Sequence, residues 1–193
     1  MNSQILIKIN DFVKKRLIEM SGILIILISI FLFASIVTYS PNDPNFIYTP
    51  ENIEIKNIGG FYGSVTSDFL LQSIGLISIF VTINLFFWGL KIITQKRIDN
   101  FISKIFYTLA YIIFGTTFIN ISYNDSFWLI DNGNSGFVGR IIKENIFNFT
   151  TLIGNQYIIY CLAFLAIVFF IISSNLKINE ITKILYFPFF IVK

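Results

Sequence analysis

Acid–base catalysis, covalent attack and metal binding each need particular side chains, and this sequence supplies few of them. It has no histidine and one cysteine. The commonest acid–base group near neutral pH and the commonest metal ligand are therefore missing, and an internal disulfide framework is excluded. Cys161 falls inside an apolar run, which predicts a buried, inert thiol. The acidic pair Glu51 and Glu54 lies in a polar stretch and reads as a solvated surface. Asp68 stands at the edge of an apolar run, within reach of solvent, and Asn84 is the most buried-looking polar residue. An asparagine in such a setting is expected to hydrogen-bond a neighbouring helix rather than a substrate. The sequence has no Walker-type loop, nucleophile–base set or Cys/His metal spacing, so it predicts no catalytic residue, no metal and no cofactor.

The elements that would carry these residues are apolar. Of the 193 residues, 55% are hydrophobic and 13% charged, with mean hydropathy +0.75. A soluble domain carries about 25% charged residues, so lipid is the main solvent here. A bilayer core about 30 Å thick needs roughly 20 apolar residues in a helix. Charge-poor intervals place four spans at about 21–39, 69–91, 105–122 and 156–174. Their apolar residues are consecutive rather than alternating, which predicts helices and not a β-barrel. The fold class expected is an all-α membrane protein, four transmembrane helices arranged as two hairpins, with short amphipathic interfacial helices in the outer loops. The first span follows Lys14, Lys15 and Arg16 like a signal peptide, but it is long for one and lacks an A-x-A-like cleavage site.

Charge sets the orientation. With the N-terminus inside, 11 of the 14 basic residues fall on the cytoplasmic side, leaving Lys56, Arg140 and Lys143 outside. Four spans then return the C-terminus to the cytoplasm. Residues 1–20 form a basic amphipathic segment, which either lies on the inner leaflet or simply continues the first span. Residues 175–193 read as the start of a cytoplasmic linker. The apolar stretch 184–192 is too short to span and contains Pro188.

The outer loops carry the most distinctive residues. The first opens with Ser40-Pro41-Asn42-Asp43-Pro44, where two prolines remove donors and stop the helix. It continues through Gly59, Gly60 and Gly63 into apolar positions 58, 61, 62, 65 and 69, which fit one helix face. The second outer loop repeats the plan: Gly136-Phe137-Val138-Gly139 matches Gly60-Phe61-Tyr62-Gly63, and Gly154 falls roughly where Gly75 does. This parallel repeat predicts two hairpins of one design. Within the second span Gly75, Ser78, Thr82, Asn84 and Gly89 offer a small or polar stripe for close helix packing, within the unit or between copies.

These residues resemble a known family. A Tyr39-Ser40 exit from the first span, the Asp43-Pro44 turn, the Gly59-Gly60-x-x-Gly63 element before the second span, and a Trp-Gly pair near that span's end look like the four-span membrane domain of the FtsK/SpoIIIE DNA translocases. The resemblance covers about the whole chain. It implies a bacterial inner-membrane domain acting in cell division and chromosome partition, which anchors a DNA-pumping ATPase motor at the septum and contacts other division-machinery membrane proteins. It also implies a homo-oligomer, since the full-length family works as a hexamer. No ATP- or DNA-binding residue has a counterpart in these 193 residues, so direct nucleic-acid binding by this segment is not expected. The alternative reading is a small multi-span transporter or channel subunit, motivated by the repeat.

Overall fold

The computed structural model describes residues 2–49, 54–126, 129, 131–149, 155–177, 179–180 and 182. Glu51, Gly154 and the 184–192 segment with Pro188 lie outside them. Among the described residues six helices follow in order: α1 Asn2–Val37, α2 Gly60–Ile74, α3 Ile77–Gln95, α4 Phe101–Ser122, α5 Gly136–Phe149 and α6 Gln156–Ser173. No strand occurs among the described residues. Of these helices, α1, α3, α4 and α6 are long and apolar enough to cross a membrane, so the chain is an all-α, four-span membrane protein. The end of the bundle that carries α2 and α5 is called outer below. The opposite end, where α1 begins and α6 finishes, is called inner.

The long helices pair as hairpins, α1 against α3 and α4 against α6. Small residues bring the first pair together. A Cβ on Gly22 would sit 3.0 Å from the carbonyl oxygen of Gly89, and a Cβ on Gly89 would sit 2.6 Å from Ile26 Cγ1. Higher in the same contact, Ser29 Oγ donates to the Thr82 carbonyl at 2.7 Å. This is the close backbone approach that small residues permit in lipid. The second pair uses aromatic rings instead. Phe169 of α6 stacks on Tyr107 and Phe114 of α4, with centroids 5.9 and 5.6 Å apart, within the range favoured for offset stacking.

Three features sharpen or correct the sequence reading. First, of the two readings left open for the basic N-terminal segment, the structure has the one in which it continues the first span: α1 is one 36-residue helix, about 54 Å long at 1.5 Å per residue. No proline interrupts it, and Glu19 near its midpoint pairs with Lys96 at the end of α3. Second, the expected span 69–91 begins later, at Ile77, because the chain breaks at Gly75 and residues 69–74 belong to α2. Gly75 therefore lies in the break between α2 and α3 and not within the span, and it packs against residues 134–135. Third, Cys161 is exposed on α6 rather than buried. Helix α6 shows most of its span to lipid, and an apolar run in a membrane need not face protein.

Candidate functional site

The residues with distinctive chemistry gather at the two ends of the bundle. At the outer end, the turn after α1 is held by one carboxylate. Asp43 is buried, its N–H donates to the Ser40 carbonyl at 3.1 Å, and its two oxygens accept the N–H groups of Lys56 and Asn57 at 3.1 and 2.8 Å. A buried carboxylate is tolerated when its lone pairs are met in this way. Asn57 carries the contact onward. Its side-chain amide donates to the Ser35 carbonyl at 2.8 Å and to Ser67 Oγ at 3.3 Å, and its oxygen accepts the Gly59 N–H at 2.9 Å. The end of α1 and the start of α2 are thereby tied to one amide.

The glycines follow from this crowding. A Cβ on Gly59 would meet Ser35 Oγ at 2.7 Å, and one on Gly63 would meet the same hydroxyl at 2.8 Å. Gly60 differs: its φ of +61° opens α2, yet the space around it is empty to 4 Å. The glycine there serves backbone conformation, not proximity. Pro44 is buried and its carbonyl accepts the Ser64 hydroxyl, while Pro41 stands exposed at the tip. Tyr39 donates its hydroxyl to Asp68 Oδ1 at 3.0 Å, so Asp68 ties the first span's exit to α2.

The second outer loop repeats the plan with amides in place of the carboxylate. Asn120 Nδ2 donates to Ser135 Oγ at 2.7 Å, and that hydroxyl donates to Asn124 Oδ1 at 2.8 Å. Gly136 opens α5 with φ +67°, as Gly60 opens α2. The two halves meet here, backbone on backbone. Gly75, at φ +58° and ψ −145°, occupies a region that glycine alone adopts readily. A Cβ on Gly136 would fall 2.5 Å from the Gly75 nitrogen. Leu76 N–H donates to the Asn134 carbonyl at 2.9 Å, and Asn132 Nδ2 donates to Gln72 Oε1 at 2.9 Å.

The inner end joins the halves through side chains. Asn84 donates to Ser173 Oγ at 2.8 Å and to Thr108 Oγ1 at 3.0 Å, so one amide bridges α3, α4 and α6. Trp88 Nε1 donates to the Ser173 carbonyl at 2.8 Å. Below it the buried Lys91 ammonium donates to both oxygens of Glu180 at 2.7 Å. The Lys91 bonds, and then the Lys177 N–H at 2.9 Å, hold the Glu180 carboxyl below its ordinary range. Ser78 and Thr82 of the expected stripe are buried on α3.

Asn57, Ser173, Gly22 and the Lys91–Glu180 pair are central here, and the sequence did not single them out. Asn57 sits in a polar loop like any other asparagine, and Lys91 reads as one more cytoplasmic cation. Only their long-range partners distinguish them. The described residues hold no group of His, Cys, Asp and Glu arranged for a metal.

This arrangement defines a class: a four-span helical membrane domain built as two parallel hairpins under an outer cap of two short helices. Residues 14–183 match the 4TM region of DNA translocase FtsK/SpoIIIE, and the chain belongs to that family. It is similar to the DNA translocase FtsK of Rickettsia bellii, 24% identical over 175 residues, which are 91% of this chain and 22% of that protein. It is also similar to the same-named proteins of Bradyrhizobium diazoefficiens and Azospirillum brasilense. The first is 23% identical over 68% of this chain and 16% of the relative, the second 28% over 45% and 14%. The chain thus spans less than a quarter of the length of the curated relatives it matches. No solved structure matches it.

Proposed function

We propose that this chain is the membrane anchor of a cell-division DNA translocase. It sits in the bacterial cytoplasmic membrane with both ends in the cytoplasm, gathers at the septum, and tethers a DNA-pumping motor on the inner side. The observation that carries this reading is the family match across nearly all of the described bundle. Two features support the orientation. The basic residues concentrate at the inner end, and an even number of spans brings α6 back to the side where α1 begins. The relatives are named as DNA translocases and most of their length lies outside the match, which supports a motor separate from this segment. In this reading the chain contributes no catalytic step. Its partners are lipid, other division-machinery membrane proteins and further copies of itself, and DNA is handled elsewhere.

A fluorescent copy of the chain in dividing cells tests the septal part. Accumulation at mid-cell during constriction is expected. An even signal around the whole envelope at every stage would count against septal anchoring and leave only the membrane placement standing.

A further inference from the structure

Between the outer and inner contacts Phe80 of α3 meets Phe170 of α6 edge-on, with centroids 5.2 Å apart. Helices α3, α4 and α6 leave a groove of about 470 Å³ there. Phe80, Phe118, Ile167 and Phe170 wall it, and Gly115 and Ala166 make room along its floor. The Tyr111 hydroxyl is the one polar side-chain group among the lining residues. At the inner end lies a second cavity of about 340 Å³, where Lys104 and Lys177 stand with Gln95, Asn175 and Asp99. Ile171 lines both spaces, so they adjoin.

We propose that this cleft binds an anionic phospholipid, its phosphate held by Lys104 and Lys177 and an acyl chain laid in the apolar groove. The charges at the mouth favour an anion. Asp99 pairs with Arg97 at 2.9 Å and also faces Lys104, and Glu180 pairs with Lys91 at 2.7 Å and also faces Lys177, so four cations meet two carboxylates here and the mouth keeps a positive excess. Lys104 gives one N–H to the Ile172 carbonyl at 2.5 Å, and an ammonium has two more to offer. Basic pockets between spans on the cytoplasmic side suit lipid headgroups. Along α4, Tyr111, Gly115 and Phe118 lie about 10, 16 and 21 Å from Lys104 at 1.5 Å per residue, so the inner part of the groove, as far as Gly115, matches the depth of one leaflet of a 30 Å core. A partner helix would fill the groove but bring no phosphate to its mouth. Assignment to the inner leaflet rests on the proposed orientation, whereas binding in detergent does not, so the two can fail separately.

The purified chain in detergent is titrated with phosphatidylglycerol and with phosphatidylcholine of the same acyl chains, and bound lipid is counted by native mass spectrometry. Phosphatidylglycerol is expected to bind about tenfold more tightly, a preference that the double variant Lys104→Gln, Lys177→Gln abolishes. Ala166→Phe, which fills the groove, is expected to weaken both lipids. Equal binding of the two lipids by the unaltered chain overturns the proposal, as does a preference that survives the double variant or an affinity that Ala166→Phe leaves unchanged. If the double variant unfolds, the exposed Lys177→Glu alone decides: a several-fold loss of phosphatidylglycerol binding at unchanged melting temperature supports the site, and no loss overturns it.

Discussion

The outer and inner contacts between the hairpins use different physics. Outside, two backbones cross at Gly75 and Gly136, and the contact exists because neither residue has a side chain. Inside, Asn84, Trp88, Ser173, Lys91 and Glu180 reach across with hydrogen bonds and charge. The outer contact is set by backbone proximity, with the Leu76–Asn134 and Asn132–Gln72 hydrogen bonds beside it, while the inner one is made by side chains and includes an ion pair.

That contrast can be broken at its steric end first. Gly136→Val places a Cβ against the Gly75 and Ile74 nitrogens, 2.5 and 2.7 Å away, at a φ of +67°. Strain and overlap together should cost about 3 kcal/mol or more, seen as loss of folded protein or a large drop in melting temperature in detergent. Its counterpart Gly60→Val meets open space and should cost about 1–2 kcal/mol for backbone conformation alone. Equal effects at the two sites would dissolve the distinction between them.

A smaller effect is expected at the first outer turn. Asp43→Ala strands the buried Asn57 N–H and the partly buried Lys56 N–H and should destabilise by about 2 kcal/mol. Inside the membrane, Asn84→Val removes the bridge to Thr108 and Ser173. About 1 kcal/mol is expected there, since membrane hydrogen bonds are modest. A double variant of Asn84 and Gly136 should show near-additive losses, because the two contacts are distant and share no partner.

The smallest expected effect depends on pH. Glu180 has its carboxyl lowered from 4.5 by Lys91, so its stabilising contribution is present above about pH 4.5 and is lost as pH falls through the depressed folded value. Thermal unfolding in detergent should therefore show a loss on the acid side of the ordinary carboxylate range that Glu180→Gln removes. A loss of the same size in the variant would assign the acid limit to other carboxylates.

The four spans were legible because about 20 residues without charge have few other uses. The glycine-marked repeat was legible too, since Gly60 and Gly136 do open matching helices at positive φ. The start of the second span was not. Phe69 to Ile74 are as suited to lipid as the residues after them, and the break at Gly75 depends on a chain 60 residues away. The same holds for Asn57, Ser173 and Lys91. Their types are ordinary and their roles come from partners that only the fold brings near. Cys161 shows the converse error, since apolar neighbours in sequence meant lipid and not a protein core.

Sidedness carries the central claim, that this four-span domain presents both ends to the cytoplasm where a motor would be tethered. Single cysteines placed in a Cys161→Ser background at Ile47, Arg97 and Thr182 can be labelled in intact cells with a membrane-impermeant maleimide. Labelling at Ile47 alone, with Arg97 and Thr182 reacting after the membrane is opened, is the predicted result. Labelling of Arg97 or Thr182 in intact cells, with Ile47 protected, would invert the domain and contradict the account.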